Sequence, residues 1–174
     1  MTVSNTCPWN LFNYVLISLV LLFHSQASPG DDAHAALSQE EKQNKLVIAT
    51  AIIDVLNKGQ FEKVDELFAD ELVEHDPYQT KTKSPKENFI TAVTAFRSAF
   101  PDGVMTIEKQ IAEGDFVSTR WSKTGTHSGE FMGIAPTNRK ITFSGIFFDR
   151  LENGKIVETW ANYDLFGLLQ QIRD

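Results

Sequence analysis

Apolar residues recur at helical spacing in the first half of the chain, whereas the second half consists of extended segments separated by turns. From Ser38 the apolar positions follow steps of three and four residues as far as Leu56, and Gly59 favours a helix end. Ser38 and Glu41 have the spacing of a capping box, which predicts the helix start. A second, shorter helix is predicted over residues 61–68.

A third helix is predicted by Ser84, Pro85 and Glu87, which combine a cap residue, a proline at the first helical position and a capping-box glutamate. Beyond Gly103 the composition favours strands over residues 105–113, 116–126, 140–151 and 155–164, and a last helical pattern covers 165–172. Helices followed by an antiparallel meander predict an α+β fold, with the helices packed on one face of a curved antiparallel sheet.

The amino-terminal segment differs in kind from the rest of the chain. Residues 1–27 contain no Asp, Glu, Lys or Arg, and residues 11–23 are nearly all apolar. This pattern is typical of a signal peptide, with cleavage after Ala27. We predict a signal peptide over 1–27, a disordered tether over 28–37, a single domain over 38–174, and a secreted or periplasmic location. An uncleaved membrane anchor is the alternative, although the run is shorter than the ~20 residues of a usual span.

Charge and composition narrow the possible partners. The net charge is −7, and the basic residues are scattered among acids, so we expect no nucleic-acid partner. The single cysteine, Cys7, lies in the predicted signal peptide, so the mature domain would carry neither a disulfide nor a catalytic thiolate. His34, His75 and His127 are far apart and lack metal-ligand spacing. We therefore expect no metal and no cofactor.

Five motifs occur in a fixed order. They are Ala99-Phe100-Pro101-Asp102, Glu113-Gly114-Asp115, a glycine loop from Gly125 to Thr137, a segment from Asn153 to Asp164, and Leu168-Leu169-Gln170-Gln171-Ile172. Together they resemble the SnoaL-like polyketide cyclases, also labelled ester cyclase-like, of the NTF2-like superfamily. The resemblance covers residues 45–172 and implies a cone-shaped α+β fold with a pocket for a small molecule.

Side-chain alternation along the last strand predicts which residues line that pocket. Period two places five residues on one face: Ile156, Glu158, Trp160, Asn162 and Asp164. A three-residue hairpin loop at Glu152-Asn153-Gly154 would put side chains of the preceding strand on the same face. The expected substrate-binding residues from the two strands are Trp160, Asn162, Arg150 and Phe148.

Two acidic positions are candidates for chemistry. The resemblance implies an acid/base aspartate on the last strand, which promotes ring closure by intramolecular aldol attack, and Asp164 is the matching position. Apolar walls beside Trp160 would raise the pKa of this carboxyl, but a cap of the final helix is the alternative. His75 and Asp76 face opposite ways on an extended segment, and we favour His75 as the second catalytic residue and Asp76 as a substrate-binding one.

The glycine loop contributes Phe131 and His127 as further substrate-binding candidates. A histidine at a strand end more often shapes its loop through hydrogen bonds, so this role is the alternative for His127. Arg150 stands on the strand where the resemblance implies a histidine. It either binds a carboxylate or enolate ligand or pairs with Glu158.

Three functions stay open because the fold hosts many reactions. The first is a polyketide-cyclase-like enzyme that acts on a small apolar carbonyl compound. The second is a non-catalytic ligand-binding or dimerisation module, and the third is an epoxide or ester hydrolase-like enzyme that pairs Asp164 with Asp76 or Glu158. We also expect a homodimer whose interface is the sheet face that carries Val157, Thr159 and Tyr163.

Overall fold

The computed structural model describes residues 36–76, 78 and 84–173. The predicted signal peptide and all but the last two residues of the predicted tether lie outside these ranges, so cleavage and export stay predictions from the sequence. In the part of the chain that is described, no helix is long and apolar enough to cross a membrane.

The helices begin where the capping boxes predict. The Ser38 hydroxyl accepts a hydrogen bond from the Glu41 amide at 3.0 Å, and the Glu41 carboxylate accepts one from the Ser38 amide at 2.7 Å. A capping box also starts the helix at Ser84. The helices are α1 (Gln39–Thr50), continued by a π-helical segment (Ala51–Asn57), α2 (Val64–Leu67), which follows a 3₁₀ turn (Phe61–Lys63), α3 (Pro85–Ala99) and α4 (Leu165–Arg173).

Five strands form one mixed sheet in the order β1-β5-β4-β3-β2. Their bounds are β1 (Phe68–His75), β2 (Val104–Glu113), β3 (Phe116–Thr126), β4 (Lys140–Glu152) and β5 (Lys155–Tyr163). The antiparallel meander of β2 to β5 is confirmed. The sequence did not predict β1. The second helix ends at Leu67, the chain becomes extended at Phe68, and the strand that begins there pairs with β5 in parallel.

The hairpin between β4 and β5 is tighter than predicted. Glu152 pairs with Lys155 across a two-residue turn of Asn153 and Gly154. Both turn residues have positive φ, 51° and 75°, which suits a two-residue hairpin connection. The three-residue loop expected from the sequence is therefore wrong by one residue.

A β-bulge in β5 determines which side chains face the helices. Leu151 pairs with Ile156 but Arg150 pairs with Glu158, so Val157 is an extra residue without a partner. The extra residue shifts the alternation by one position. Ile156 therefore points to the same face as the odd-numbered residues from Thr159 onwards and not to the face of Glu158.

The two faces of the sheet have different surroundings. On the inner face, which carries Thr159, Ala161 and Tyr163, the sheet packs with α1 and α3 around a core that includes Phe100 and Trp121. The outer face carries Glu158, Trp160 and Asn162 of β5 and leaves large side chains of β4 exposed. The candidate functional site lies on the inner face.

Candidate functional site

A cavity of about 180 Å³ lies between the inner face and the helices. Its walls are mainly apolar and aromatic, with Ile48, Ile52, Phe89 and Phe96 from the helices and Trp121, Phe143 and Phe147 from the sheet. The polar side chains that line it are Glu74, Asp76, Lys123, Asp149, Thr159 and Tyr163. Apolar walls with a few converging polar groups are typical of a small-molecule site.

Asp149 is the most unusual of these polar groups. Its side chain lies on the inner face of β4, where it is only 4% exposed. The Thr159 hydroxyl donates a hydrogen bond to its Oδ1 at 2.5 Å. Burial raises the pKa of the Asp149 carboxyl to about 7, and the hydrogen bond from Thr159 acts in the opposite direction. Near neutral pH this carboxyl can therefore both accept and return a proton.

The parallel register of β1 brings two more carboxylates to the cavity. Glu74 pairs with Thr159, so it lies on the far side of that residue from Asp149. The two carboxylate oxygens of Asp76, Oδ1 and Oδ2, lie 3.5 and 3.4 Å from the hydroxyl oxygen of Tyr163. Burial, followed by the nearby Asp76 charge, raises the pKa of Tyr163, so its phenol stays protonated and donates to Asp76.

Lys123 lies toward the other end of the cavity. Its side chain is 5% exposed, and its Nζ is 4.3 Å from the ring centroid of Phe96. Burial, with a smaller effect of the Arg97 charge, lowers the pKa of this amine to about 8. Lys123 is six residues along β3 from Val117, the pairing partner of Asp149, a separation of about 20 Å along the strand. The cavity thus has an acid end and an amine end.

A glycine shapes the wall between these two ends. A Cβ at Gly145 would lie 2.5 Å from Cζ2 of Trp121 and 2.6 Å from the Asn162 carbonyl oxygen. Only glycine therefore lets the buried Trp121 ring lie against β4 at this point. The indole in turn contacts Phe143 and Phe147, with ring centroids 5.5 and 5.1 Å away.

Four predicted substrate-binding residues lie on the outer face, so their predicted placement in the pocket is wrong. They are Trp160, Asn162, Arg150 and Phe148. The reason is the bulge at Val157, which reverses the face that strict alternation predicts. The four residues do share one face, as predicted. The Arg150 Nε donates to the Glu158 carboxylate at 3.2 Å, so the arginine pairs with Glu158, which was the predicted alternative to ligand binding.

The predicted catalytic residues also lie outside the cavity. Asp164 is exposed, and its Oδ1 accepts a hydrogen bond from the Gly167 amide at 2.8 Å, so it caps α4. With Asn162 it lines a separate, open depression. The His75 ring stacks on Trp160 of the outer face at 4.8 Å, and Asp76 occupies the inner face in its place, because β1 positions the pair with the opposite orientation.

The acids proposed for a hydrolase have different surroundings. Asp164 caps its helix, whereas the Glu158 carboxylate lies 2.9 Å from the His75 Nε2. Hydrogen bonds from His75 and then from Arg150 lower the pKa of Glu158. Only Asp76 of the proposed set lines the cavity.

The glycine loop supports the cavity wall from behind. The buried His127 accepts a hydrogen bond at Nδ1 from the Thr137 amide at 3.3 Å, so it shapes the loop as the alternative reading expects. Phe131 contacts Phe96 and Phe100, with centroids 5.2 and 5.3 Å away, and does not line the cavity. Within the described ranges, no three His, Cys, Asp or Glu side chains cluster to hold a metal ion.

Asp149, Thr159 and Lys123 line the cavity but were not among the site residues predicted from the sequence. One signal pointed to Asp149: it alternates with Phe147 and Leu151, so the period-two rule places it on the apolar face of β4. Lys123 shares its face of β3 with Val117 and Trp121, but this alternation alone does not distinguish a lysine in a cavity from one at the surface.

The fold and the site together define a class of protein: an NTF2-like α+β cone that encloses a largely apolar cavity with a few buried ionisable groups. The chain belongs to the SnoaL-like polyketide cyclase family, whose family model matches residues 46–172. This confirms the family and the fold that the five motifs predicted.

Solved structures agree with this assignment. IdmH from Streptomyces antibioticus, named as a candidate polyketide cyclase, is 31% identical, with a TM-score of 0.66 over 74% of this chain and 97% of its own. A candidate polyketide cyclase from Bacillus cereus is 27% identical, with a TM-score of 0.67 over 78% and 85% of the two chains. A SnoaL-like structure from Jannaschia, 20% identical with a TM-score of 0.69 over 78% and 95%, shares the fold. Among the curated proteins, none matches the chain.

Proposed function

We propose that this protein binds a small, mostly apolar carbonyl compound in the cavity and transfers a proton at a carbon beside the carbonyl, with Asp149 as acid/base. The observation that carries the proposal is a buried carboxyl, with its pKa near neutrality, in the wall of an apolar cavity. The names of the relatives support a polyketide-like ligand, which carries more than one carbonyl group.

The chemistry needs no group beyond this carboxylate and the ligand. The ionised Asp149 takes the proton from the carbon, and the C–H electron pair moves into an enolate. In a ligand with a second carbonyl, the enolate carbon attacks that carbonyl carbon and forms a C–C bond. The protonated Asp149 then returns its proton to the alkoxide oxygen. Thr159 holds the carboxylate through its hydrogen bond and so orients it.

Binding and proton exchange of acetophenone test this proposal. We expect the wild-type protein to bind this aromatic ketone and to exchange its methyl protons for deuterium in D₂O. Ala161→Phe adds a ring to the inner face and should weaken binding about tenfold or more, equivalent to about 1.4 kcal/mol. Calorimetry measures the binding, and proton NMR measures the exchange.

Asn162→Phe is the matched control because the neighbouring residue lies on the outer face and is exposed. It should bind acetophenone as the wild type does. If Ala161→Phe binds equally well, or if the wild type does not bind, the cavity is not the ligand site. Binding without exchange would favour the non-catalytic binding module.

We also propose a homodimer that forms through the outer face. Four rings cross that face side by side, and we call them the outer aromatic row: Phe116, Phe148, Trp160 and His75. Successive centroids lie 5.2, 5.6 and 4.8 Å apart. Phe148 is 41% and Ile146 42% exposed, so the row borders an apolar surface. Thr159 and Tyr163, which the sequence prediction put at the interface, line the cavity.

Phe148→Glu should convert a dimer into a monomer, because a charge in an apolar interface is costly. Light scattering after gel filtration would show the mass halved. Phe166→Glu, at a phenylalanine of α4 that is 71% exposed, should leave the mass unchanged. A wild-type protein that is monomeric at high concentration would contradict the proposal.

A further inference from the structure

The amine of Lys123 has surroundings that the proton-transfer proposal does not use. It lies in a cavity wall built from Phe96, Phe143 and Met105, and the lysine itself is buried. The stem reaches this position past Gly103, where a Cβ would approach the Lys123 Cε to 3.2 Å and the Phe100 carbonyl oxygen to 2.8 Å. A small residue at position 103 thus leaves room for the lysine.

In the described part of the chain, no carboxylate forms an ion pair with Lys123. The charged group that faces it is Arg97 of α3, whose guanidinium donates to the Asn57 carbonyl oxygen. A nearby positive charge and an apolar wall both disfavour the ammonium form. Lysines placed in this way serve as amine nucleophiles toward carbonyl groups.

We propose that Lys123 forms an imine with a carbonyl group of the ligand and thereby anchors it covalently at the amine end of the cavity. This inference rests on the proposed function, because it requires a carbonyl ligand. It specifies the ligand class further: an elongated compound with a carbonyl at each end, one held by Lys123 and the other beside Asp149. The six-residue offset between the two positions along β3 is the reason for an elongated ligand.

The step is a condensation that needs no oxidant or reductant. The neutral Nζ attacks the carbonyl carbon and forms a C–N bond, which gives a carbinolamine. The carbonyl oxygen leaves as water with the two protons of the amine, and a C=N bond remains. Hydrolysis reverses the step and releases the product. A fraction of neutral amine near neutral pH is available, because its pKa is lowered to about 8.

Reductive trapping tests the imine directly. The full-length protein would be incubated with benzaldehyde and sodium cyanoborohydride, digested, and mapped by mass spectrometry. We expect one benzyl group on Lys123, added at least about tenfold faster than on the exposed Lys109. Lys123→Arg should lose this label and keep the positive charge, and Lys109→Arg should label at Lys123 as the wild type does. Lys123→Met, with circular dichroism as a fold check, separates loss of the amine from loss of the structure.

Labelling of Lys123 no faster than Lys109 would overturn the imine. A second result would also overturn the imine: Lys123→Arg binds acetophenone as the wild type does, and neither the wild type nor the variant forms a benzyl adduct. The lysine would then act only through its charge. That result would leave the proton-transfer proposal intact as long as deuterium exchange persists. Loss of both acetophenone binding and exchange in the wild type would overturn the proposed function as well.

Discussion

Replacing Asp149 with Asn is expected to slow deuterium exchange into bound acetophenone by about 100-fold or more. The amide keeps the size of the side chain but cannot accept a proton, and general acid/base groups contribute about 10²–10⁴ in rate. Affinity for the ketone should change little, because the cavity walls remain. Proton NMR of the exchange, together with calorimetry on the same samples, separates the loss of rate from a loss of binding.

Asp164→Asn is the control that distinguishes the two aspartates. Asp164 caps α4 and lies outside the cavity, so its amide variant should exchange acetophenone protons at the wild-type rate. Asparagine is also a good cap, so the fold should be retained. The proposal would be contradicted by the reverse pattern, in which Asp164→Asn loses exchange and Asp149→Asn keeps it.

The second large effect concerns stability. The free energy of unfolding of the wild type, measured relative to Asp149→Asn, is expected to fall by about 4 kcal/mol as the pH rises from 4 to 8. The pKa of Asp149 is raised from an ordinary value of 3.8 to about 7 in the folded state. The folded state therefore holds this proton more tightly than the unfolded chain. The contribution is fully present below pH 3.8 and is lost as the pH rises through 7.

Urea unfolding of both proteins at several pH values between 4 and 8 measures this difference. The comparison removes the contributions that the two proteins share. The lowered pKa of Lys123 lies near 8, so its own effect on stability falls mainly above this window. A difference in unfolding free energy that stays constant across the window would show that Asp149 titrates alike in both states.

Much of the fold follows from local sequence signals. The capping boxes at Ser38 and Ser84 place two helix starts correctly, because the side chains that satisfy the first amides are adjacent in sequence. The meander follows from alternation and from turns such as Asn153-Gly154. The strand β1 has no such signal. It forms through parallel pairing with β5, about 90 residues further along the chain, and only the folded sheet provides that partner.

The site was harder to predict because it depends on the direction of each side chain. A period-two pattern gives the two sets of residues on a strand but not which set faces inward. In β5 the extra residue Val157 reverses which set of side chains faces the cavity. In β1 the register with β5 turns Asp76, and not His75, toward the inner face. The alternation of Asp149 with Phe147 and Leu151 was the available indication, since it places Asp149 on the apolar face of β4.

The bulge at Val157 also affects how residue roles are transferred between relatives. An alignment that matches β5 residue for residue with an unbulged strand equates Trp160 or Asp164 with positions that point the opposite way in space. A catalytic aspartate inferred from such an alignment would then be assigned to the outer face of the sheet, away from the cavity. For proteins of this kind, equivalent residues are better defined by their strand partners than by their order along the chain.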